Sequence, residues 1–436
     1  MVVDTEATFS CAEKPGQRFN PEVCSTSGFC FLGTPPFFLL SIRAMNPNNV
    51  TRRDFIYLMG LGTTGLVLSC THENTPEPIP MPTELWIYVG TYTSGGSEGI
   101  YLCRLDLKTG VLQKLGVTRD VAEPSYLALA PNGRTLYAVN ELTEFEGKPS
   151  GAVSAFAINA QSRELTFINR QSTQGGAPCY LEVDATGAFV LVANYVGGNV
   201  AVLPIQADGG LGAISDLKQH QAPGAEPVSH AHQIRLDAAN RYALAPDLGL
   251  DKLIIYRFDA QRGKLTPAEP ASFSTRPGAG PRHLAFHPNG SSAFGINELD
   301  STIIAFSYDK EQGTLTELQT VSALPEGHTA ASYCADIHVS PDGRFLYGSN
   351  RGHDSIVVYA IDSAGKLTLV EHVTERIHWP RNFAIDPTGA WLLVANQKGN
   401  TVVTFQRNAE TGKLTPAGQP LEIPAPTCLL IVPPPA

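Results

Sequence analysis

The sequence predicts an all-β fold, a seven-bladed propeller. Three observations lead there: one four-strand unit recurs at a near-constant period, its apolar residues alternate at period two, and turn residues are dense throughout. The chain has 436 residues, 43% hydrophobic and only 17% charged, with 40 Gly and 33 Pro. That composition supplies a large core and many tight turns.

The first repeated element is a short apolar strand with a polar or small residue at its end: IYVGT at Thr91, LYAVN at Asn140, VLVAN at Asn194, YALAP at Pro246, AFGIN at Asn297, LYGSN at Asn350 and LLVAN at Asn396. Successive ends are 46 to 54 residues apart, a period with loop-sized variation. Repeats of that length mark propellers and solenoids. The Asn column reads as structural, with the amides bonding loop backbone where the strands end.

A second element follows each time, an alternating strand that leads into a hairpin, as in KLIIYRFDAQRGKL and TIIAFSYDKEQGTL. Alternation at period two places each strand between two layers. A third element precedes the first, a strand running into a tight turn: PSYLALAPNG, PCYLEVDATG, AHQIRLDAAN, PRHLAFHPNG, CADIHVSPDG and PRNFAIDPTG. Gly supplies the positive φ such hairpins need, and Pro presets the entry. The unit opening at Trp86 lacks this strand, and PTCLLIV from Pro426 has no hairpin after it. The C-terminal strand is therefore expected to complete the first blade and close the ring. An open solenoid would instead need polar capping repeats.

The front of the chain reads as an address. From Met45 it runs MNPNNVTRRDFIYLMGLGTTGLVLSC, with paired Arg52 and Arg53 before an apolar stretch from Phe55 to Leu68. Fourteen residues are too few to span roughly 30 Å of hydrocarbon as a helix. Residues 45–70 resemble a twin-arginine export signal, and the Val67-Leu68-Ser69-Cys70 end resembles a lipobox that would lipidate Cys70. Residues 71–84 form a Pro-rich tether, and 85–436 the propeller. Residues 1–44 are expected to be a leader or an upstream extension from an early start codon. The implied location is periplasmic or membrane-anchored, with a cytoplasmic one as the alternative.

A net charge of -10 without a long run of either sign excludes a nucleic-acid surface. The eight cysteines show no C-x-x-C pair and no Cys/His metal spacing, so neither a disulfide framework nor a metal is expected. Nothing in the sequence calls for a cofactor.

Candidate site residues follow from topology. Residues opening the innermost strands and residues ending the next strands meet at one mouth of the channel. The opening column reads Ser125, Cys179, His232, Arg282, Ala335, Arg381 and Thr427. A purely structural column has no reason to hold a His and two Arg. Glu298 and Arg351 follow returning strands. Such a mouth suits a small anionic or polyhydroxyl ligand. Bland readings stand beside these: Arg282 and Glu298 as a structural ion pair, and His230 and His338 as satisfied strand histidines. His230 with His232 as a metal pair, and Cys179 or Cys428 as a nucleophile, are weaker readings still.

The motifs GAGPRHLAFHPNG, INELDSTI, CADIHVSPDGRFLYGSNRGHDSIVVY and WPRNFAIDPTG resemble the lactonase family of propellers, which includes bacterial 6-phosphogluconolactonases and a muconate-lactonizing enzyme. The resemblance spans Leu85 to Val432. It implies a sugar-lactone substrate and a hydrolytic reaction without a cofactor. His232, Arg282, Glu298 and Arg351 stand at positions matching residues proposed as functional in the muconate-lactonizing relative. The expected chemistry makes Glu298 or His232 the general base, the other assisting proton transfer. Arg282 is to stabilise the oxyanion, and Arg351 and Arg381, with His230, are to hold substrate. A non-enzymatic propeller binding a glycan or protein, and a cycloisomerase, are the rival classes. Oligomeric state is not legible.

Overall fold

The computed structural model describes residues 83 to 432, except 222, 223 and 227. The expected leader, Cys70 and nearly all of the tether lie outside the described residues.

The described chain folds into seven four-stranded antiparallel sheets and a single 3-10 turn, with no other helix among the described residues. In blades 2 to 7 the four strands follow in chain order from the channel outward. Their inner strands are Leu127–Leu129, Pro178–Val183, Arg235–Leu236, Pro281–Phe286, Tyr333–Val339 and Pro380–Ile385. Blade 1 is completed as the sequence implies: Pro426–Val432 pairs antiparallel with Glu84–Thr91, placing Val432 opposite Trp86 and Cys428 opposite Gly90. The ring is closed by its own two ends.

Alternation explains the packing. One face of every sheet must bury against the next blade, and seven separate apolar clusters fill the seven interfaces between neighbours. Phe156, Phe294, Phe306, Phe383 and Phe405 are essentially inaccessible in them. Large aromatics also tie blades together by their polar tips, since a buried hydroxyl needs an acceptor. Tyr137 donates to the Gly209 carbonyl at 2.9 Å, Tyr242 to Glu311 at 2.9 Å and Tyr347 to Gly412 at 2.7 Å, each reaching the outer hairpin of the next blade. Trp391 Nε1 does the same from blade 7 to the Leu107 carbonyl of blade 1 at 3.0 Å.

The Asn column has the structural role read from sequence. Asn140, Asn350 and Asn396 donate to the carbonyls of Ala122, Ala323 and Arg376 at 2.7 to 2.8 Å. At the hairpin tips Gly133, Gly187, Gly290, Gly343 and Gly389 have φ near +70°, and Asn240, at +58°, stands in for glycine in blade 4.

Inner strands face each other across the channel without a backbone ladder, so their inward N–H groups need other partners. Side chains supply them from blade to blade. Gln233 accepts from the Leu284 N–H at 2.7 Å, Asp336 from Phe383 at 3.3 Å, and Asn382 from Leu429 at 2.7 Å. These three side chains belong to one ring, with Tyr126, Tyr180, His283 and Cys428 at the equivalent places.

A β-bulge sets how that ring and the one above it are presented. Register shifts fall between Pro178 and Tyr180, Pro281 and His283, and Pro380 and Asn382. In each, Cys179, Arg282 or Arg381 is the extra residue. A bulge breaks the alternation of sides and re-aims a side chain. Two successive residues can then serve the channel, the first at its mouth and the second one layer down.

Candidate active site at the channel mouth

Two seven-membered columns build the mouth. One is the bulged column holding His232, Arg282 and Arg381. The other is the residue at or just past the end of each second strand: Tyr92, Glu141, Tyr195, Asp247, Glu298, Arg351 and Gln397.

At the centre, Glu298 Oε2 is ion-paired to Arg282 of its own blade and to Arg351 of the next blade, the latter at 3.0 Å. Arg282 is 3% exposed and Arg351 6%, so both guanidiniums are held out of water. Arg351 is further fixed by the carbonyls of Tyr333 and Cys334, at 3.3 and 3.1 Å. The Arg282 Nε is buried without a partner, a donor facing an unfilled requirement. Burial raises the Glu298 carboxyl, but the charges of Arg282 and then Arg351 outweigh it and hold it down to about 2. Burial and the neighbouring Arg282 together bring Arg351 down to about 9, against the pull of Glu298.

A second carboxylate lies across the mouth. Glu141 accepts from the Tyr92 hydroxyl at 2.9 Å and from the Ser125 hydroxyl at 2.5 Å, and approaches Arg381 at 3.9 Å. The Arg381 guanidinium also lies 5.1 Å from the Tyr92 ring centroid. Three guanidiniums thus face two carboxylates, leaving a cationic excess suited to an anion or a developing oxyanion.

His232 sits among them, 4% exposed. Burial, then the charges of Arg282, His283, Arg381 and Arg351, drive its pKa well below the ordinary value of 6.5, so the ring is neutral with a free lone pair. Its Nδ1 is 3.8 Å from Cys179 Sγ, an approach between residues 53 positions apart that no local motif announces. That pairing does not make a nucleophile. Burial first, and Glu141 second, raise the Cys179 pKa well above that of an ordinary thiol.

His230 lies apart from the ion-paired cluster. Its ring stacks on Tyr195 at 4.5 Å and Nδ1 meets the Tyr195 carbonyl at 3.1 Å, while His232 meets Tyr195 edge-on at 5.5 Å. The second column thus brings Tyr92, Glu141 and Tyr195 into the mouth beside Glu298 and Arg351. The signal for them was present: each follows a repeated strand end, as Glu298 does. Asp247, at the same place in blade 4, is taken up by local donors instead. Ser229, His220 and the backbone N–H of His230 take up its carboxylate at 2.5, 2.7 and 2.8 Å.

Among the described residues no group of three or more His, Cys, Asp or Glu could hold a metal ion. No described helix is long and apolar enough to cross a membrane.

The family model "Lactonase, 7-bladed beta-propeller" matches residues 86–431. A protein named 6-phosphogluconolactonase from Bacillus subtilis is 40% identical over 346 residues, covering 78% of this chain and 97% of the relative. Among solved structures, a periplasmic gluconolactonase from Pseudomonas aeruginosa superposes with a TM-score of 0.76 at 35% identity, covering 81% of this chain and all of the other. A putative 6-phosphogluconolactonase from Bacteroides fragilis gives a TM-score of 0.75 at 38% identity, covering 82% of this chain and all of the other. With the match running from the first blade to the closing strand, the chain belongs to the lactonase family of seven-bladed β-propellers.

Proposed function

We propose that the chain hydrolyses a sugar lactone at the channel mouth, with His232 as general base and Arg282 and Arg351 as the oxyanion site. The observation that carries this is the meeting of a neutral, buried His232 with three arginines around Glu298. Glu298 is engaged in ion pairs with both Arg282 and Arg351, which favours His232 over Glu298 for activating water. Glu298 then acts by orienting the two guanidiniums toward the carbonyl.

In the step, water adds to the lactone carbonyl carbon and gives a proton to His232, while the carbonyl oxygen takes up negative charge on Arg282. That charge offsets the arginines and strengthens His232 as a base at the moment it is needed. The ring C–O bond then breaks, and the imidazolium protonates the departing alkoxide. The new carboxylic acid ionises at neutral pH, so each turnover releases one proton. Arg381, with Glu141 and Tyr92, holds the hydroxyl groups of the substrate, and the His230–Tyr195 stack forms one wall.

Two substrate readings follow from the relatives. An unphosphorylated gluconolactone met in the periplasm agrees with the Pseudomonas neighbour and with a leader at 45–70. A 6-phosphate agrees with the name of the Bacillus relative and with the cationic excess at the mouth. A panel of gluconolactone and its 6-phosphate tests both: turnover no faster than spontaneous opening rejects the enzyme reading and leaves a binding propeller. Palmitate labelling that is the same in wild type and Cys70→Ala would reject the lipid anchor, and export lost in Arg52→Lys/Arg53→Lys would support the leader.

A further inference from the structure

The loops that frame the mouth are not uniform. Where blade 5 meets blade 6, a cleft of about 310 Å³ opens beside the ion-paired cluster. One wall is the loop that follows Glu298, residues 299–301, and the other is the crossover loop, residues 324–332, with Tyr333 at the start of the inner strand of blade 6.

The cleft begins at the site itself. Leu299 follows Glu298 directly, so the two Cα atoms are about 3.8 Å apart. At the other wall the Tyr333 carbonyl accepts from Arg351 Nε at 3.3 Å, and the Ser332 hydroxyl donates to the Arg351 carbonyl at 3.3 Å. Gly352, the residue after Arg351, has φ +102°, and a Cβ there would meet the Ala331 carbonyl at 2.4 Å. Only glycine lets the crossover loop sit this close, so that wall is held against an arginine of the oxyanion site.

The lining suits hydrocarbon. Leu299 and Tyr333 are 47% and 38% exposed, and Leu324, Ala330 and Ala331 add aliphatic surface. The polar side chains are already engaged. Asp300 takes the Thr302 hydroxyl on Oδ1 at 2.7 Å and Arg276 on Oδ2 at 2.6 Å, while the Ser301 hydroxyl donates to the Ser332 carbonyl at 3.0 Å. A polyhydroxyl group entering here would exchange water for side chains that are already bonded, and hydrogen bonds left unmade are costly. Methylenes would instead remove Leu299 and Tyr333 from water. The charged lining residue is Asp300, balanced by Arg276, so a phosphate gains nothing in the cleft.

We propose that this cleft receives an uncharged hydrocarbon substituent carried on the lactone ring, which makes alkyl-substituted lactones a second substrate class of the same centre. It rests on the lactonase reading above, with the carbonyl still at Arg282 and Arg351. The chemistry is unchanged: water adds to the carbonyl carbon, the ring C–O bond breaks, and the hydroxy acid leaves with its chain. Each methylene that fits against Leu299 and Tyr333 raises kcat/KM roughly fourfold.

The test is kcat/KM for δ-lactones bearing no substituent, a methyl, a propyl or a pentyl group at the carbon next to the ring oxygen, in wild type, Leu299→Ser and Ala330→Phe. Wild type is expected to climb roughly fourfold per methylene until the cleft is filled. Leu299→Ser removes an apolar wall and Ala330→Phe occupies the space. Each should flatten the climb to below about twofold per methylene and leave the unsubstituted lactone within about twofold of wild type. Both residues are exposed, so the ring is expected to fold in either variant. A flat wild-type series, or a climb that either variant keeps in full, would overturn the cleft, while opening of gluconolactone leaves the lactonase intact. Wild type that opens the alkyl series but not gluconolactone would keep the cleft and displace the sugar as substrate. A protein that opens no lactone removes the functional reading and the cleft with it.

Discussion

Arg282 and Glu298, 16 residues apart on the first two strands of one blade, form an ion pair whose carboxylate oxygen also receives Arg351 from the next blade at 3.0 Å. The pair is thus both a blade contact and part of the mouth. Its two roles predict different outcomes on mutation.

Glu298→Gln leaves two buried guanidiniums short of a counter-charge. Stability should fall by about 1 to 3 kcal/mol, and kcat by about 100-fold as the oxyanion donors lose their aim. Thermal unfolding and steady-state kinetics separate the two losses. A variant that loses stability but keeps full kcat would restrict Glu298 to a structural role.

His232→Asn removes the proposed base while keeping a polar side chain. The expected loss in kcat is about 100- to 10,000-fold, with KM nearly unchanged. If the loss appears in KM instead, His232 binds substrate and the base is elsewhere.

Acid stability has a predicted sign. Burial first, against the opposing pull of Asp336, lowers His283 to about 4 from 6.5, so the unfolded chain takes up its proton at higher pH than the folded one. The folded state therefore has its full stability from this group above 6.5 and loses it as pH falls from 6.5 to 4, by about 3 kcal/mol at the low end. Glu298, lowered to about 2, adds a second loss as pH falls from 4.5 toward 2. Denaturant midpoints measured across pH should fall less steeply between 6.5 and 4 in His283→Gln. An unchanged slope there would remove the assignment.

Cys179 stays a thiol at neutral pH because burial disfavours its charged form. Iodoacetamide at pH 7 should leave activity intact. Progressive inactivation that substrate prevents would make Cys179 a participant.

Deleting residues 426–436 removes the inner strand of blade 1 and leaves Ile87 and Val89 without their partners Ile431 and Leu429. Insoluble or unfolded protein is expected, read by circular dichroism and by solubility on expression. A soluble, cooperatively folding truncation would show that the ring does not depend on that strand.

The blades, their period and the closing strand were legible because alternation and turn chemistry repeat seven times. The bulged column was legible too, since His232, Arg282 and Arg381 stand out among Ser, Cys, Ala and Thr. Tyr92, Glu141 and Tyr195 escaped because their column mixes Tyr, Glu, Asp, Arg and Gln, so no member stands out against a uniform background. The layer of His283 and Asp336 was hidden for a different reason. Strict alternation puts Arg282 and His283 on opposite sides, and only a bulge, which leaves no mark in composition, lets adjacent residues both serve the channel.

The strand that seals the ring also carries Thr427 and Cys428, members of the two inner rings, and Thr427 donates to the Ser125 carbonyl at 2.9 Å. Synthesis delivers that strand after the six complete blades. Those blades can form on a growing chain, but the mouth that gathers Arg282, Glu298, Arg351 and Arg381 gains its seventh wall only once Pro426–Val432 has been made and has paired with Glu84–Thr91. A chain clipped before Pro426 would lack that wall, so a mouth enclosed on all seven sides reports that the two ends of the ring have met.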